Sequence, residues 1–195
     1  MESTRRLFMK RAYIILSLIL WSLFLSAQNP VQYKWADLGF ISDTRKLNLV
    51  IDYSSADILG DDFVDFVAGE ANWGSYEPEI RSKFIRAFNE EADDGAYPHR
   101  LGNYPDADYT MIIHVLKVDD RGSNVKGTMD IVGAVGDVLF THNVEGNQGR
   151  FGSVCNLMGD AFTEMGEDIG QEFFFHARRR IQRTWTRKRP VGKAA

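Results

Sequence analysis

Few side chains in this 195-residue sequence could carry chemistry: His99, His114, His142, His176, Cys155 and a scatter of carboxylates. A protein zinc site needs ligands that converge on one ion at about 2.1 Å. No HExxH pair occurs, and no two histidines stand four apart or within one strand. His114 and His142 fall on separate predicted strands with a third between them, which holds their side chains about 10 Å apart, two strand spacings. No metal site is expected. Cys155 is the one candidate thiol nucleophile, in the first turn of a predicted helix where the dipole lowers a thiol pKa. It has no histidine near it in sequence, and Val154 and Leu157 beside it are apolar, so it reads as a small buried residue.

The acids gather at Asp61, Asp62 and Asp65, at residues 90–94, and at Asp119 and Asp120. None sets oxygen ligands at alternate positions ahead of a glycine, as a calcium loop does, so they read as solvated faces. So many equivalent acids single out no pair for glycoside cleavage, and no serine sits in a G-x-S-x-G elbow. Gly146, Gly149 and Gly152 precede a helix, but Ser153 and Val154 follow where a phosphate loop needs Lys–Ser/Thr. No catalytic residue and no cofactor are assigned.

Two stretches suit binding. Phe63, Phe66, Trp73 and Tyr76 form an aromatic segment ahead of the main helix, either a contact surface or the closure of the core. Arg178, Arg179, Arg180 and Arg183 interleave with Ile181 and Trp185 near the C-terminus. If the last helix continues there, Ile181 and Trp185 share a face, and the basic amphipathic end could lie on anionic lipid. The alternative is a solvated extension.

Charge is distributed unevenly. Residues 1–27 hold four bases and one acid, residues 28–177 hold 11 bases and 26 acids, and residues 178–195 hold eight bases and no acid. A body with that acidic excess repels nucleic acid phosphates, so no nucleic acid partner is expected. One cysteine excludes an internal disulfide framework and any multi-cysteine metal site.

Residues 1–27 read as an address. Arg5, Arg6, Lys10 and Arg11 form a basic start, residues 12–25 are uncharged and rich in Ile and Leu, and Ser26 and Ala27 follow. This is the plan of a secretory signal peptide cleaved after Ala27. The apolar run of 14 residues is shorter than the roughly 20 a spanning helix needs. No cysteine stands near the cleavage point, so a lipoprotein anchor is not expected. The organisation is thus a signal peptide (1–27), one globular domain (28–177) and a basic tail (178–195).

The elements that must position these groups follow from periodicity. Residues 47–53 (LNLVIDY) read as a buried strand. Residues 61–71 suit a short helix, and Pro78 suits the first turn of a longer one carrying Ile80, Phe84, Ala87 and Phe88. Residues 108–118, 125–132 and 138–144 read as three meandering strands, the second alternating apolar and polar. Gly146, Gly149 and Gly152 read as a flexible link. Ser153 then caps a long helix striped by Leu157, Met158, Ala161, Phe162, Met165 and Ile169. The expected fold class is α+β: an antiparallel-rich sheet with a three-strand meander and helices on one face, in the order β-α-α-β-β-β-α.

The segments LNLVIDYSSADILG, YPDADYTMIIHVLKV with VKGTMDIVGAVGDVLF, and GRFGSVCNLMGDAFTEMGEDIG resemble small exported proteins of unknown function from Bacteroides-type cell envelopes. More remotely, the element order is similar in topology to the TolB N-terminal, LpoB and CsgG envelope domains. That resemblance implies a non-enzymatic domain binding another envelope component, a protein or a glycan, in the periplasm or outside the cell, and transfers no site. Two other classes remain: a small secreted hydrolase or sugar-processing enzyme, marked by facing carboxylates or an acid beside a histidine, and a structural protein held at a membrane surface.

Overall fold

The computed structural model describes residues 46–94 and 100–187, with the side chains of Asp94 and of residues 176–187 outside the described set. The elements run β1 (Lys46–Asp52), β2 (Asp57–Ile58), β3 (Asp61–Asp62), α1 (Phe63–Gly69), α2 (Trp73–Asp94), β4 (Arg100–Gly102), β5 (Tyr109–Asp119), β6 (Asn124–Gly133), β7 (Val138–Asn147) and α3 (Val154–Arg187). The fold is α+β. The antiparallel meander β5-β6-β7 is present, with His114 facing Thr128 across one pair and Thr128 facing Asn143 across the next.

Beside the meander the sheet is parallel. β1 lies between β5 and β4 and runs parallel to both, so the main order is β4-β1-β5-β6-β7. The far end of β5 pairs with β2, onto which β3 folds back. The expected order lacked β2, β3 and β4, which are two or three residues each and too short for a periodicity to register.

Three expected boundaries are corrected. Residues 61 and 62 belong to β3, and Asp62 caps α1 by accepting from Asp65 N at 2.9 Å, so the short helix begins at Phe63. α2 begins at Trp73, which leaves Pro78 inside the helix rather than in its opening turn; the Trp73 ring is held by Tyr53, Phe63 and Phe66. β7 runs on through Gly146 to Asn147, where a flexible link was expected. Gly146 is a packing residue: a Cβ there would stand 2.0 Å from the Ala161 carbonyl oxygen of α3. Ser153 caps α3 as expected, its hydroxyl accepting from Asn156 N at 3.3 Å.

Alternation along the strands sends Leu47, Leu49 and Ile51, Met111 and Ile113, Met129 and Ile131, and Phe140 and Val144 to one face, all buried. Onto that face α2 brings Ile80, Phe84 and Phe88, and α3 brings Met158, Phe162, Met165, Ile169 and Phe173. Each such side chain contributes about 1.5–3 kcal/mol of burial. α2 and α3 run alongside each other in the same direction: Gly159 of α3 meets Lys83, Gly166 meets Phe84 and Ala87, and Gly170 meets Phe88 and Glu91. The helices therefore cover one face of the sheet, and no described element packs on the other. No helix among the described residues is long and apolar enough to cross a membrane.

Candidate functional site

Two places concentrate chemistry. The first is an aromatic corner where β1 ends and α1, α2 and α3 meet. The Tyr53 ring stacks on Phe63 at 5.4 Å and meets Trp73 edge-on at 5.2 Å, with Phe162 at 6.3 Å. Trp73 also meets Phe63 at 5.6 Å and Phe66 at 5.7 Å, distances at which aromatic pairs attract beyond area burial. Phe63, Phe66 and Trp73 are thus brought together as rings, and Tyr76 packs half-buried against the same core. All four close the core while keeping part of their surface in solvent.

Inside this corner the Tyr53 hydroxyl is buried and has no hydrogen-bond partner among the described residues. Burial, reinforced by the charge of Glu77, pushes the phenol far above its ordinary pKa. Cys155 is 1% exposed. Burial, with Glu70 beside it, pushes its thiol up to about 11, so the thiolate is scarce at neutral pH.

The second place is the open face of the sheet, where sequence-distant residues meet through the strand register. Asp52 stands opposite His114, and Asp130 opposite Thr141. His114 Nδ1 lies 3.0 Å from Asp52 Oδ2, and its Nε2 lies 3.3 Å from Asp130 Oδ2. Thr141 Oγ1 donates to the other Asp130 oxygen at 2.6 Å. The result is a four-member polar chain, Asp52–His114–Asp130–Thr141, across β1, β5, β6 and β7. Asp52 is held below its ordinary pKa first by the Ser54 backbone N–H and hydroxyl, then by His114. Along the neighbouring row, Asn48 Nδ2 donates to Thr110 at 3.4 Å and Asn48 Oδ1 accepts from Tyr104 N at 3.0 Å. Apolar Val50, Ile112, Val132 and Val138 share this face, Val50 and Val138 being 38% and 50% exposed.

Sequence reasoning weighed His114 only against His142. The structure puts β6 between their strands and turns the two rings to opposite faces: His142 lies on the helix side beside Phe140, where burial lowers its pKa. The available signal was parity: Asp52, His114 and Asp130 fall in the mixed phase of three strands whose opposite phase is buried and without charge. His99 lies outside the described residues. Among the described residues no three His, Cys, Asp or Glu side chains are placed to hold a metal ion. The side chains of Arg178, Arg179, Arg180, Arg183 and Trp185 lie outside the described set, although the backbone of α3 is helical through Arg187.

Chemically, the Asp52–His114 pair resembles the orienting half of an acid–histidine dyad. Yet Nε2, the nitrogen that would serve a substrate, faces Asp130. An imidazole can donate to both carboxylates only when both nitrogens carry hydrogen. In this arrangement the chain cross-links four strands and presents hydrogen-bonding groups outward.

No family model matches the chain, and no curated protein matches it. Among solved structures the chain is similar to a Xanthomonas campestris protein of the family DUF330, with a TM-score of 0.39, 11% identity, and coverage of 79% of this chain and 93% of that one. It is also similar to a PelC dodecamer from Paraburkholderia phytofirmans, with a TM-score of 0.34, 13% identity, and coverage of 67% and 86%. Neither likeness assigns a residue or a role to this chain.

Proposed function

We propose that the chain is an exported envelope protein whose α+β domain is a non-enzymatic binding module, with the open face of the sheet as its contact surface for another envelope protein. The observation that carries this reading is the two-sidedness of the sheet. One face is sealed by α2 and α3, and the other carries a mixture of apolar and hydrogen-bonding side chains with no described element over it. Such a mixture is typical of protein interfaces, whose overall polarity matches ordinary surface. Export rests on the basic start, short apolar run and small-residue end of residues 1–27.

The experiment is capture of envelope proteins by the tagged protein, comparing the parent with Val50→Glu and Ile112→Glu on the open face and Val135→Glu on the distant hairpin. A partner lost with the first two and kept with the third supports the reading. A partner kept by all three places the contact elsewhere, and the Phe63, Phe66, Trp73 and Tyr76 corner is then the next surface to alter. A second reading, a small hydrolase, draws on the acid beside a histidine at Asp52–His114. It requires Asp130 to release Nε2. Turnover of an ester or glycoside panel that disappears in His114→Gln would favour it.

A further inference from the structure

Both ring nitrogens of His114 face carboxylates, Nδ1 at 3.0 Å from Asp52 on β1 and Nε2 at 3.3 Å from Asp130 on β6. A neutral imidazole carries one N–H. It serves one of the two carboxylates, and the other then faces a ring lone pair. Thr128, the register partner of His114 on β6, carries no charge. Among the described residues no other basic group pairs with Asp52 or Asp130. Farther along this face Lys117 pairs with Asp119 at 3.0 Å, Lys126 pairs with Glu145 at 3.5 Å, and Lys46 lies over the Tyr104 ring. Two carboxylates therefore share one imidazole, and negative charge is left over whether or not the ring is protonated.

We infer that the open face receives an arginine side chain of its protein partner at Asp52, in competition with protonation of His114. The inference rests on the reading of this face as a contact surface and names what the surface recognises. Asp52 is the reachable carboxylate, its side chain 37% exposed against 18% for Asp130. The Ser54 backbone N–H and hydroxyl hold it below its ordinary pKa, so it stays charged at mildly acidic pH. Val50 stands two residues before Asp52 on β1, and Ile112 two residues before His114 on β5, so apolar surface adjoins the carboxylate. A guanidinium suits that mixture, being more weakly hydrated than an ammonium and presenting a planar fork to a carboxylate. Arginine is also enriched where proteins meet. A metal ion is disfavoured, because among the described residues no three His, Cys, Asp or Glu side chains are placed to hold one.

Imidazoles take up a second ring proton between about pH 8 and about pH 5. Once protonated, His114 donates to both carboxylates and cancels one of their two charges. An arriving arginine then meets a weaker field and a neighbouring cation, so its binding weakens as pH falls. With the ring neutral, the same arginine supplies the positive charge that the carboxylates lack.

The test is NMR of the isotope-labelled protein, purified from expressing cells, titrated with the peptide acetyl-Val-Arg-Val-amide. A second peptide carries citrulline, the uncharged isostere of arginine, at its centre. The arginine peptide should shift the Val50, Ile112 and His114 signals saturably at about pH 8, with affinity about threefold to fivefold lower at about pH 5. The citrulline peptide should bind the parent about fivefold more weakly, a comparison that needs no variant to fold. Asp52→Asn should weaken the arginine peptide by a similar factor, and His114→Gln should keep it while losing the pH dependence. The absence of saturable shifts overturns the proposal, as do equal binding of the citrulline peptide, equal affinity at both pH values in the parent, or a pH dependence that survives in His114→Gln. Capture of the envelope partner separates this inference from the reading beneath it. A partner lost in Val50→Glu and Ile112→Glu but kept in Asp52→Asn leaves the open face as the contact surface and overturns the arginine. A partner kept by all three variants overturns both.

Discussion

Replacing Gly166 with alanine sets two effects of known sign against each other. In a free helix alanine is favoured over glycine by about 1 kcal/mol. Here the new Cβ would stand 2.6 Å from the Phe84 carbonyl oxygen and 3.2 Å from Ala87 Cβ. The nearer atom is backbone of a packed helix and cannot rotate away, so α2 and α3 must separate by several tenths of an ångström along a shared core. Overpacking of this kind costs about 1–3 kcal/mol. A backbone contact below 3 Å belongs at the upper end, leaving a net destabilisation of about 1–2 kcal/mol. Gly74 supplies the contrast, since nothing lies within 4 Å of a Cβ there and α2 needs helix formers in its first turns. Gly74→Ala should stabilise by about 0.5 kcal/mol. Urea unfolding followed by circular dichroism would read both variants, with equal m-values licensing the comparison. Gly166→Ala as stable as the parent, or more so, would show that the helices do not approach as closely as described.

Tyr53→Phe removes a buried hydroxyl without a described partner and should stabilise by about 1–3 kcal/mol; a loss of thermal stability would reveal a partner for that hydroxyl. Glu167 is held above its ordinary pKa by burial and then by Glu91, Asp168, Glu164 and Glu90. Folding then favours its protonated form, so the charge destabilises the protein only as pH rises through the carboxylate range, and nothing is lost below that range. Glu167→Gln should therefore add about 0.3–0.5 kcal/mol at neutral pH and nothing near pH 3, as read by melts across pH; a gain that is the same at both pH values would contradict the cause given. The Cys155 thiol, at about 11, should react with iodoacetamide in the native state far more slowly than a free thiol at pH 8, and rapid native labelling would contradict its burial.

The meander and the long helix were legible in the sequence because both depend on local pattern. Val125, Met129 and Ile131 alternate with polar residues, and Leu157, Met158, Phe162, Met165 and Ile169 repeat at helical spacing. β1 was legible as a strand but its neighbours were not, since parallel pairing with β5 joins residues 62 positions apart, as Asn48 with Thr110. β2 and β3 are two residues each, a single step of strand alternation with nothing to repeat. The Asp52–His114–Asp130 chain escaped notice for the same reason as β1: its members become neighbours only once strand order and register are known. The Trp73 start of α2 depended on tertiary contact, because the glycine at 74 and the proline at 78 both argue locally for a later beginning.

The polar chain on the open face also marks a seam in folding time. β5, β6, β7 and α3 are consecutive, joined by short turns, and can assemble from one stretch of chain as it emerges. β1 pairs with β5 only across the chain that forms α1, α2 and β4, a far longer loop and a slower closure. The Asp52–His114 contact spans that closure, whereas Asp130–Thr141 lies wholly within the meander. His114 therefore meets Asp52 only once the early and late halves have joined, and the imidazole signals of this one residue would time the completion of the sheet.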